Sequence, residues 1–281
     1  MNNIYVPIII FLNADNKIKY ERTSEMISKY KNMGIKNFFI ESDNYNTSNL
    51  NCLNYYNKIF KILPENSNVI IDLVLNQYFD LDEIIKKIEN HNNLVFSLNI
   101  SAKFVEDYKK NKNYISKYLN KNITLYLEMA PQALKHIEVN NLIRKTNIKG
   151  IILLTDYDTD FDITKIEIYK KNNKNLEIIY KSDDLFLTAL RNNNSIISSY
   201  SFIFIEEFNK IWNSYKNENN IKAVFFQEKL NKKLKVLKKF DYYEVLKFYY
   251  EKSGECFLKE VDCCSVELNR KEKNRLIKIF N

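Results

Sequence analysis

Short apolar runs alternate with longer amphipathic stretches along the first 216 residues of the chain. Each run is rich in Ile, Val, Leu or Phe on both parities, which is typical of parallel strands whose two faces are both buried. The stretches between the runs have helical spacing. The pattern predicts eight strands: Val6 to Leu12, Phe38 to Glu41, Val69 to Leu75, Val95 to Ile100, Ile123 to Glu128, Gly150 to Leu154, Leu176 to Tyr180 and Ser195 to Ser199.

Four further helices are predicted after the last strand. They cover Ile205 to Tyr215, Ile221 to Leu237, Tyr242 to Lys252 and Arg270 to Phe280, with Asn269 as the cap of the final one. Eight strands, each followed by a helix, predict an α/β fold, a (β/α)8 TIM barrel with additional C-terminal helices. A doubly wound open sheet is the alternative, but it normally carries a glycine-rich ligand turn. No linker or repeat interrupts the pattern, so a single domain over residues 1–281 is expected, with the barrel in 1–216 and a helical extension in 217–281.

The low glycine content argues against nucleotide-binding sites that are built on glycine-rich turns. The 281-residue chain has three Gly and three Pro, whereas average usage would give about 20 Gly. Neither a P-loop nor a GxGxxG dinucleotide turn can be written with Gly34, Gly150 and Gly254. The hydrophobic fraction of 45% is ample for a core, so the chain is expected to be globular.

The net charge of +8 raises the question of nucleic-acid binding. Most lysines are interspersed with acidic residues, which is typical of a solvated surface. The densest basic stretch runs from Lys229 to Lys239, and it lacks an aromatic series for base stacking. A nucleic-acid partner is therefore not expected, and binding through this stretch is the least favoured alternative.

Cysteine and histidine usage argues against a metal site. Cys52, Cys256, Cys263 and Cys264 form no CxxC pair, and the chain has two His, so no zinc spacing can be assembled. No metal and no cofactor are expected, and the cysteine usage indicates a reduced, cytoplasmic setting. The apolar run near the N-terminus lacks a basic leader and is too short to span a bilayer, so neither a signal peptide nor a membrane partner is expected.

Several segments, in order along the chain, resemble one family of barrel enzymes. VPIIIFLNADNKIKYE (6–21) is similar to a first strand and turn that read TPFDEDGKIDYE, and NIKGIILLTD (147–156) is similar to a strand that reads NIVGIKDSS. IIYKSDDLFLTAL (178–190) is similar to VLSGDDDLLLPAL, and the tail SVELNRKEKNRLIKIF (265–280) is similar to LPLSEEEKAELEALL. The chain thus resembles the family of N-acetylneuraminate lyase and dihydrodipicolinate synthase, the pyruvate-dependent class I aldolase barrels. The resemblance implies a TIM barrel whose site lies at the C-terminal ends of the strands.

The resemblance implies a catalytic lysine that this chain lacks at the matching position. In the family, a lysine two residues after the glycine of the sixth strand forms a Schiff base with pyruvate. Counting from Gly150, that position is Ile152, which cannot form an imine. Lys149 is close in sequence, but the alternation of side chains along a strand predicts that it points away from the barrel interior.

Lys181, at the end of the seventh strand, is the candidate for a relocated amine. That strand end faces the same barrel mouth, so an amine there can reach a bound substrate. A rim lysine that reaches solvent or pairs with Asp183 or Asp184 is the favoured structural interpretation. Asp183 is also a candidate substrate-binding residue.

The turn after the second strand differs from the family's GTTGE motif, whose backbone and hydroxyls hold the keto-acid carboxylate. The matching residues are Glu41, Ser42, Asp43, Asn44 and Tyr45. Glu41 and Asp43 would repel a carboxylate. Ser42 can donate one hydrogen bond and is the substrate-binding candidate of this turn.

The family's proton relay is the tyrosine of a YNVP sequence at the end of the fifth strand. The corresponding run is TLYLEMAP, from Thr124 to Pro131. If the run is aligned on the strand start, the family's tyrosine corresponds to Tyr126. If it is aligned on the proline, the family's tyrosine corresponds to Glu128. Both residues share one strand parity and are predicted to point inward. Both are candidate catalytic acid/base residues, with a packing role as the alternative for Tyr126.

Two functions are open. The first is a divergent family member that kept the barrel but lost the Schiff-base lyase activity, a pseudoenzyme with a binding, assembly or regulatory role. The alternative is an active carbon–carbon lyase that acts on a 2-keto acid or a sialic-acid-like substrate through Lys181, with Tyr126 or Glu128 as proton relay. The resemblance implies a keto acid or sugar acid as small-molecule partner and a homo-oligomer, a dimer or tetramer, as the assembly.

Overall fold

The structure, a computed structural model, describes residues 3–9, 19–40, 58–73, 94–101, 124–130, 148–155, 166, 170–171, 173, 176–252 and 268–280. Eight parallel strands form a closed barrel: β1 (Ile4–Pro7), β2 (Asn37–Ile40), β3 (Ser67–Leu73), β4 (Leu94–Ser101), β5 (Thr124–Met129), β6 (Ile148–Leu154), β7 (Glu177–Lys181) and β8 (Ser195–Ile197). Strands that are neighbours in sequence are neighbours in the sheet, and β8 pairs with β1. The α/β barrel predicted from the apolar runs is confirmed.

The strands differ from the predicted runs mainly at their ends. β1 begins at Ile4, two residues before the predicted start, and its Tyr5 pairs with Ile197 of β8. β8 ends at Ile197, because the chain then turns and Ser201 N–H bonds back to the Ser198 carbonyl at 3.3 Å. The end of the first predicted run, residues 10–12, lies outside the described residues, as do the helices predicted between β3 and β6.

Six helices have both ends within the described residues. They are α1 (Tyr20–Asn32), α2 (Phe186–Arg191), α3 (Ser201–Lys216), α4 (Asn220–Leu237), α5 (Tyr242–Lys252) and α6 (Arg270–Phe280). Asn269 caps α6 as predicted, because its Oδ1 accepts hydrogen bonds from the backbone N–H groups of Lys271 (2.9 Å) and Glu272 (3.0 Å). In the part of the chain that the structure describes, no helix has the length and apolar character needed to cross a membrane.

The hydrophobic core has two layers, one inside the barrel and one between the sheet and the helices. The inner cluster consists of Tyr5, Phe39, Ile70, Tyr126, Ile152, Ile179 and Ile197. Side chains of the opposite parity, such as Val6, Ile40 and Leu153, belong to the outer cluster that packs on the helices. Burial of both strand faces explains why the predicted runs are apolar on both parities.

Helix α4 is anchored on the loop between β7 and α2. The Gln227 side chain accepts a hydrogen bond from Leu187 N–H at 2.9 Å and donates one to the Asp184 carbonyl at 3.1 Å. Lys238, just after α4, forms an ion pair with the Asp184 carboxylate. These contacts fix the orientation of α4 relative to the C-terminal end of β7.

The basic stretch between Lys229 and Lys239 lies in the second half of α4 and just beyond it. Lys233 pairs with Glu207 of α3 at 2.9 Å, in addition to the pair between Lys238 and Asp184. These carboxylates offset part of the positive charge that the stretch presents to solvent.

Candidate functional site

An apolar layer divides the barrel interior into an upper part, at the C-terminal ends of the strands, and a lower part, at their N-terminal ends. Strand register sets Ile152 of β6 beside Ile179 of β7, and the two are 0% and 1% exposed. Phe39, Ile70 and Ile197 belong to the same cluster. The position that the resemblance matches to the imine lysine is therefore filled by a buried apolar side chain.

Lys181 and Glu128 lie above this layer and form an ion pair. Glu128 of β5 is in register with Ile152, whereas Lys181, the last residue of β7, is in register with Leu154. Lys181 Nζ lies 3.2 Å from Glu128 Oε2, and the two side chains are 21% and 15% exposed. Because β6 lies between β5 and β7, the ion pair spans β6 above Ile152. Lys181 thus points into the mouth of the barrel.

Lys181 contacts a carboxylate and an aromatic ring. Besides the Glu128 carboxylate, the Phe39 ring faces the ammonium, with its centroid 5.3 Å from Nζ. An ammonium has no lone pair, so a nucleophilic role would require that its proton first moves to a base. Glu128 is within hydrogen-bond distance and can accept that proton.

Asp183 is engaged with the turn after β8. It is 7% exposed, and its Oδ1 accepts hydrogen bonds from Ser198 Oγ (2.6 Å) and Tyr200 N–H (2.9 Å). Burial raises the pKa of Asp183 to about 6, against the effect of these two hydrogen bonds, which lower it. The carboxylate therefore holds the connection between β8 and α3.

Lys181 is expected either to reach solvent or to pair with Asp183 or Asp184; its side chain is 21% exposed, and the expected pairing with an aspartate is wrong. Asp183 binds the turn after β8, and Asp184 pairs with Lys238. The reason is that the side chain of Lys181 turns inward, where Glu128 is available, instead of along the outer rim.

Tyr126 belongs to the lower part of the barrel. Its hydroxyl donates a hydrogen bond to Glu177 Oε2 at 2.5 Å. Glu177 is the first residue of β7 and Lys181 the last, so they lie about 13 Å apart along the strand. Burial, above all, raises the pKa of Tyr126 far above its ordinary value, and Tyr5 and Glu177 raise it further. The structure thus brings Lys181 together with Glu128, and it places the Tyr126 hydroxyl in a separate cluster.

Lys149 also reaches this lower cluster. Its Nζ lies 3.3 Å from Glu177 Oε1 and 5.9 Å from the centroid of the Tyr126 ring. The prediction that Lys149 points away from the barrel interior is wrong, because the register of β5 with β6 shifts between Leu125 and Tyr126. Lys149 is the extra residue at this irregularity, so the rule that successive side chains point to opposite faces of a strand does not hold for it.

Gly150 is required by its neighbours in the lower cluster. A Cβ at this position would lie 2.6 Å from Tyr126 Cε1 and 2.5 Å from the backbone oxygen of Glu177. The Tyr126 ring therefore occupies the space that any larger residue at position 150 would need. Packing alone explains this glycine, independently of catalysis.

A polar cavity of about 400 Å³ opens at the lower end of the barrel, and the sequence reasoning missed it. Its lining includes Asn3, Asn37 and Asn68, near the starts of β1, β2 and β3. Asn68 Nδ2 donates to Asn37 Oδ1 at 2.8 Å, and Lys170 Nζ donates to Asn194 Oδ1 at 2.5 Å. One asparagine at the start of each of three neighbouring strands is the sequence signal that could have indicated it.

The remaining site prediction is not covered by the structure. Ser42 and the whole turn from Glu41 to Tyr45 lie outside the described residues. Among the residues that are described, no group of three or more His, Cys, Asp or Glu side chains could hold a metal ion.

Comparison with known proteins identifies similar solved structures. No protein-family model matches the chain, and no curated protein matches its sequence. N-acetylneuraminate lyase from Fusobacterium nucleatum aligns with a TM-score of 0.77 at 15% identity, over 99% of this chain and 97% of that chain. A catalytic lysine mutant of Ruminococcus gnavus sialic acid aldolase gives 0.76 at 13% identity, over 99% and 95%. A variant of Sulfolobus solfataricus 2-keto-3-deoxygluconate aldolase gives 0.71 at 17% identity, over 99% and 94%.

Identities this low establish likeness of fold and leave the activity open. The three enzymes agree with the family indicated by the segments along the chain, and the alignments cover almost the full length of both partners. The chain has the fold of the N-acetylneuraminate lyase and dihydrodipicolinate synthase family.

Proposed function

We propose that the chain is a divergent member of this family, a complete (β/α)8 TIM barrel without the usual Schiff-base lyase activity. The observation that carries the proposal is Ile152, which is 0% exposed in the apolar layer and matches the family's imine lysine in the sequence resemblance. One similar structure is a catalytic lysine mutant of a sialic acid aldolase, so a lysine is catalytic in that enzyme. Isoleucine has no nitrogen with which to attack a keto carbon.

The proposed role is binding or assembly instead of turnover. The Lys181 ammonium in the mouth is a charge partner for the carboxylate of a 2-keto acid or sugar acid. Such a ligand would compete with Glu128 for this ammonium. Binding is therefore expected without covalent chemistry.

Borohydride trapping tests the proposal, because borohydride reduces an imine between a lysine and a keto acid to a stable amine. The protein is incubated with saturating pyruvate and borohydride, and its intact mass is measured. N-acetylneuraminate lyase from Fusobacterium nucleatum is the positive control for the protocol. We expect no pyruvate adduct on this chain and no pyruvate release from N-acetylneuraminate. An adduct on any lysine contradicts the proposal.

The alternative is an active carbon–carbon lyase that uses Lys181, and the ion pair across β6 favours it specifically. Glu128 would take a proton from the Lys181 ammonium, and the freed amine would attack the keto carbon. Loss of water then gives the iminium, which accepts the electron pair of the cleaved carbon–carbon bond and becomes an enamine, while the hydroxyl on the departing carbon loses its proton and becomes an aldehyde. Protonation and hydrolysis of the enamine release the keto acid and restore the amine. This route needs no lysine on β6.

Peptide mapping separates the two functions. An adduct on Lys181 that disappears in Lys181→Met establishes the lyase. In that case Glu128→Gln should slow trapping at least tenfold, since it removes the base and leaves the amine in place. An adduct on a different lysine contradicts both functions.

A further inference from the structure

The polar cavity at the lower end of the barrel is separate from the mouth. Tyr5 lines this cavity and also belongs to the apolar cluster inside the barrel. The same cluster contains Ile152 and Ile179, which lie beneath the ion pair of Lys181 and Glu128. Apolar side chains therefore stand between the two compartments, and a molecule bound in the lower cavity would not contact Lys181.

The turn before β8 forms one wall of the lower cavity, and Lys170 holds it in place. Lys170 Nζ donates to the carbonyls of Asn192 (3.4 Å) and Asn193 (3.1 Å). It also donates to Asn194 Oδ1 at 2.5 Å, while Asn194 Nδ2 donates to the Tyr180 hydroxyl at 2.9 Å. An ammonium has three N–H donors, and these three oxygens match them. Lys170 therefore acts as a strut of the wall.

An ion pair from β6 and β7 forms another wall. Lys149 Nζ lies 3.3 Å from Glu177 Oε1, and the two side chains are 29% and 48% exposed. An anion in the cavity would approach the Glu177 carboxylate, and a cation would approach the Lys149 ammonium. This wall therefore favours a ligand without net charge. The Lys149 ammonium has three N–H donors, more than one ion pair engages, so it can also donate to a ligand.

The starts of β1, β2 and β3 supply amide oxygens on the remaining side. Asn3 Nδ2 donates to the Asn194 carbonyl at 2.9 Å, and Asn68 Nδ2 donates to Asn37 Oδ1 at 2.8 Å. These bonds fix the orientation of both amides through their NH2 groups. Within the part of the chain that the structure describes, no group donates to Asn3 Oδ1 or Asn68 Oδ1. A ligand on this side would have to supply hydrogen-bond donors.

We propose that the lower cavity binds a small neutral polyol. A hydroxyl group both donates and accepts hydrogen bonds. Hydroxyls along one carbon chain can therefore donate to the oxygens of Asn3 and Asn68 and accept from Lys149. A carboxylate only accepts and an ammonium only donates, so neither satisfies both sides. The volume of about 400 Å³ is at the small end of the range for ligand pockets, about 300 to 1,000 Å³.

Saturation-transfer difference NMR on the full chain tests the proposal with xylitol as the neutral polyol. Glycine serves as the zwitterionic probe and inorganic phosphate as the anionic probe. We expect xylitol to bind with a dissociation constant of about 1 mM. Glycine and phosphate should bind about tenfold more weakly or not at all, since each carries a charge that the wall of Lys149 and Glu177 disfavours.

Two variants locate the binding. Asn68→Leu removes Oδ1 at nearly constant size, and Lys149→Met removes the ammonium while Glu177, 48% exposed, stays hydrated. Each should weaken xylitol binding about tenfold, the loss expected for one hydrogen bond. Lys36→Met is the control, because Lys36 is an exposed lysine just before β2, at the same end of the barrel, and does not line the cavity. Circular dichroism melting checks that each variant is folded.

Lys181→Met separates the lower cavity from the mouth. It should leave the affinity for xylitol unchanged, because the apolar layer lies between the two compartments. Absence of xylitol binding, or glycine or phosphate binding as tightly as xylitol, overturns the proposal. So does xylitol binding that persists in both Asn68→Leu and Lys149→Met, or that is lost in Lys181→Met or Lys36→Met.

Discussion

The buried carboxyl of Asp183 makes the stability of the fold depend on pH in an unusual direction. Its pKa in the folded chain is about 6, against an ordinary value of 3.8. Between these values the folded state binds more protons at this site than the unfolded state does, so the contribution of Asp183 to the free energy of unfolding falls as the pH rises. The contribution of Asp183 to the free energy of unfolding is fully present below pH 3.8 and is lost above about pH 6.

The size of the effect follows from the two pKa values. A rise from 3.8 to about 6 corresponds to about 3 kcal/mol. Asp183→Asn removes the charge and keeps an oxygen that can accept from Ser198 and Tyr200, which both donate to a single carboxylate oxygen, Oδ1. The free energy of unfolding of the variant, relative to that of the unaltered chain, should therefore rise by about 2 kcal/mol between pH 4 and pH 7.

Urea unfolding at several pH values between 4 and 7 measures this difference. Glu65→Gln, which removes one carboxylate from an exposed turn, is the control for the change in net charge. Ser198→Ala supplies a second arm: it deletes a donor that lowers the pKa of Asp183, so the pH transition should move upward. A difference between Asp183→Asn and the unaltered chain that stays constant from pH 4 to pH 7 would refute the reasoning.

Two further predictions concern the barrel interior. Gly150→Ala should lower the free energy of unfolding by about 3 kcal/mol, because its Cβ would meet the Tyr126 ring and the Glu177 backbone oxygen; urea denaturation measures this, and an unchanged midpoint would contradict the packing argument. Lys181→Met should destabilise the fold by about 1 to 3 kcal/mol because it removes the ammonium that pairs at 3.2 Å with the Glu128 carboxylate, 15% exposed. The double variant with Glu128→Leu should recover most of this loss, and additive losses would show that the two residues do not interact.

The barrel could be predicted because its signal is local and repeated. A parallel strand between two apolar layers needs apolar residues on both parities, and this requirement marks each strand by itself. The order of strands in a closed barrel then follows the order along the chain. No long-range information was needed for either step.

The partners within the site could not be predicted in the same way. The ion pair of Lys181 and Glu128 joins residues 53 positions apart, and it depends on the register of two strand pairs. Lys149 shows the same limit, because one extra residue between Ile148 and Gly150 reverses the side expected from alternation. Sequence indicated candidate residues for the chemistry, and strand register decided which of these candidates contact each other.

The apolar layer explains why the lysine ammonium of this barrel lies above it, in an ion pair with Glu128. A lysine at position 152 would bring its amine into a layer formed by Phe39, Ile70 and Ile179, and an ammonium buried there without a partner costs several kcal/mol. In this barrel the ammonium comes from the end of β7, one layer higher, where Glu128 compensates its charge and both side chains keep contact with water. An isoleucine at position 152 and a lysine at the end of β7 are therefore compatible with each other in one barrel. Any reaction of an amine in this mouth must therefore take place closer to solvent than position 152. Borohydride trapping tests whether Lys181 is the amine that reacts there.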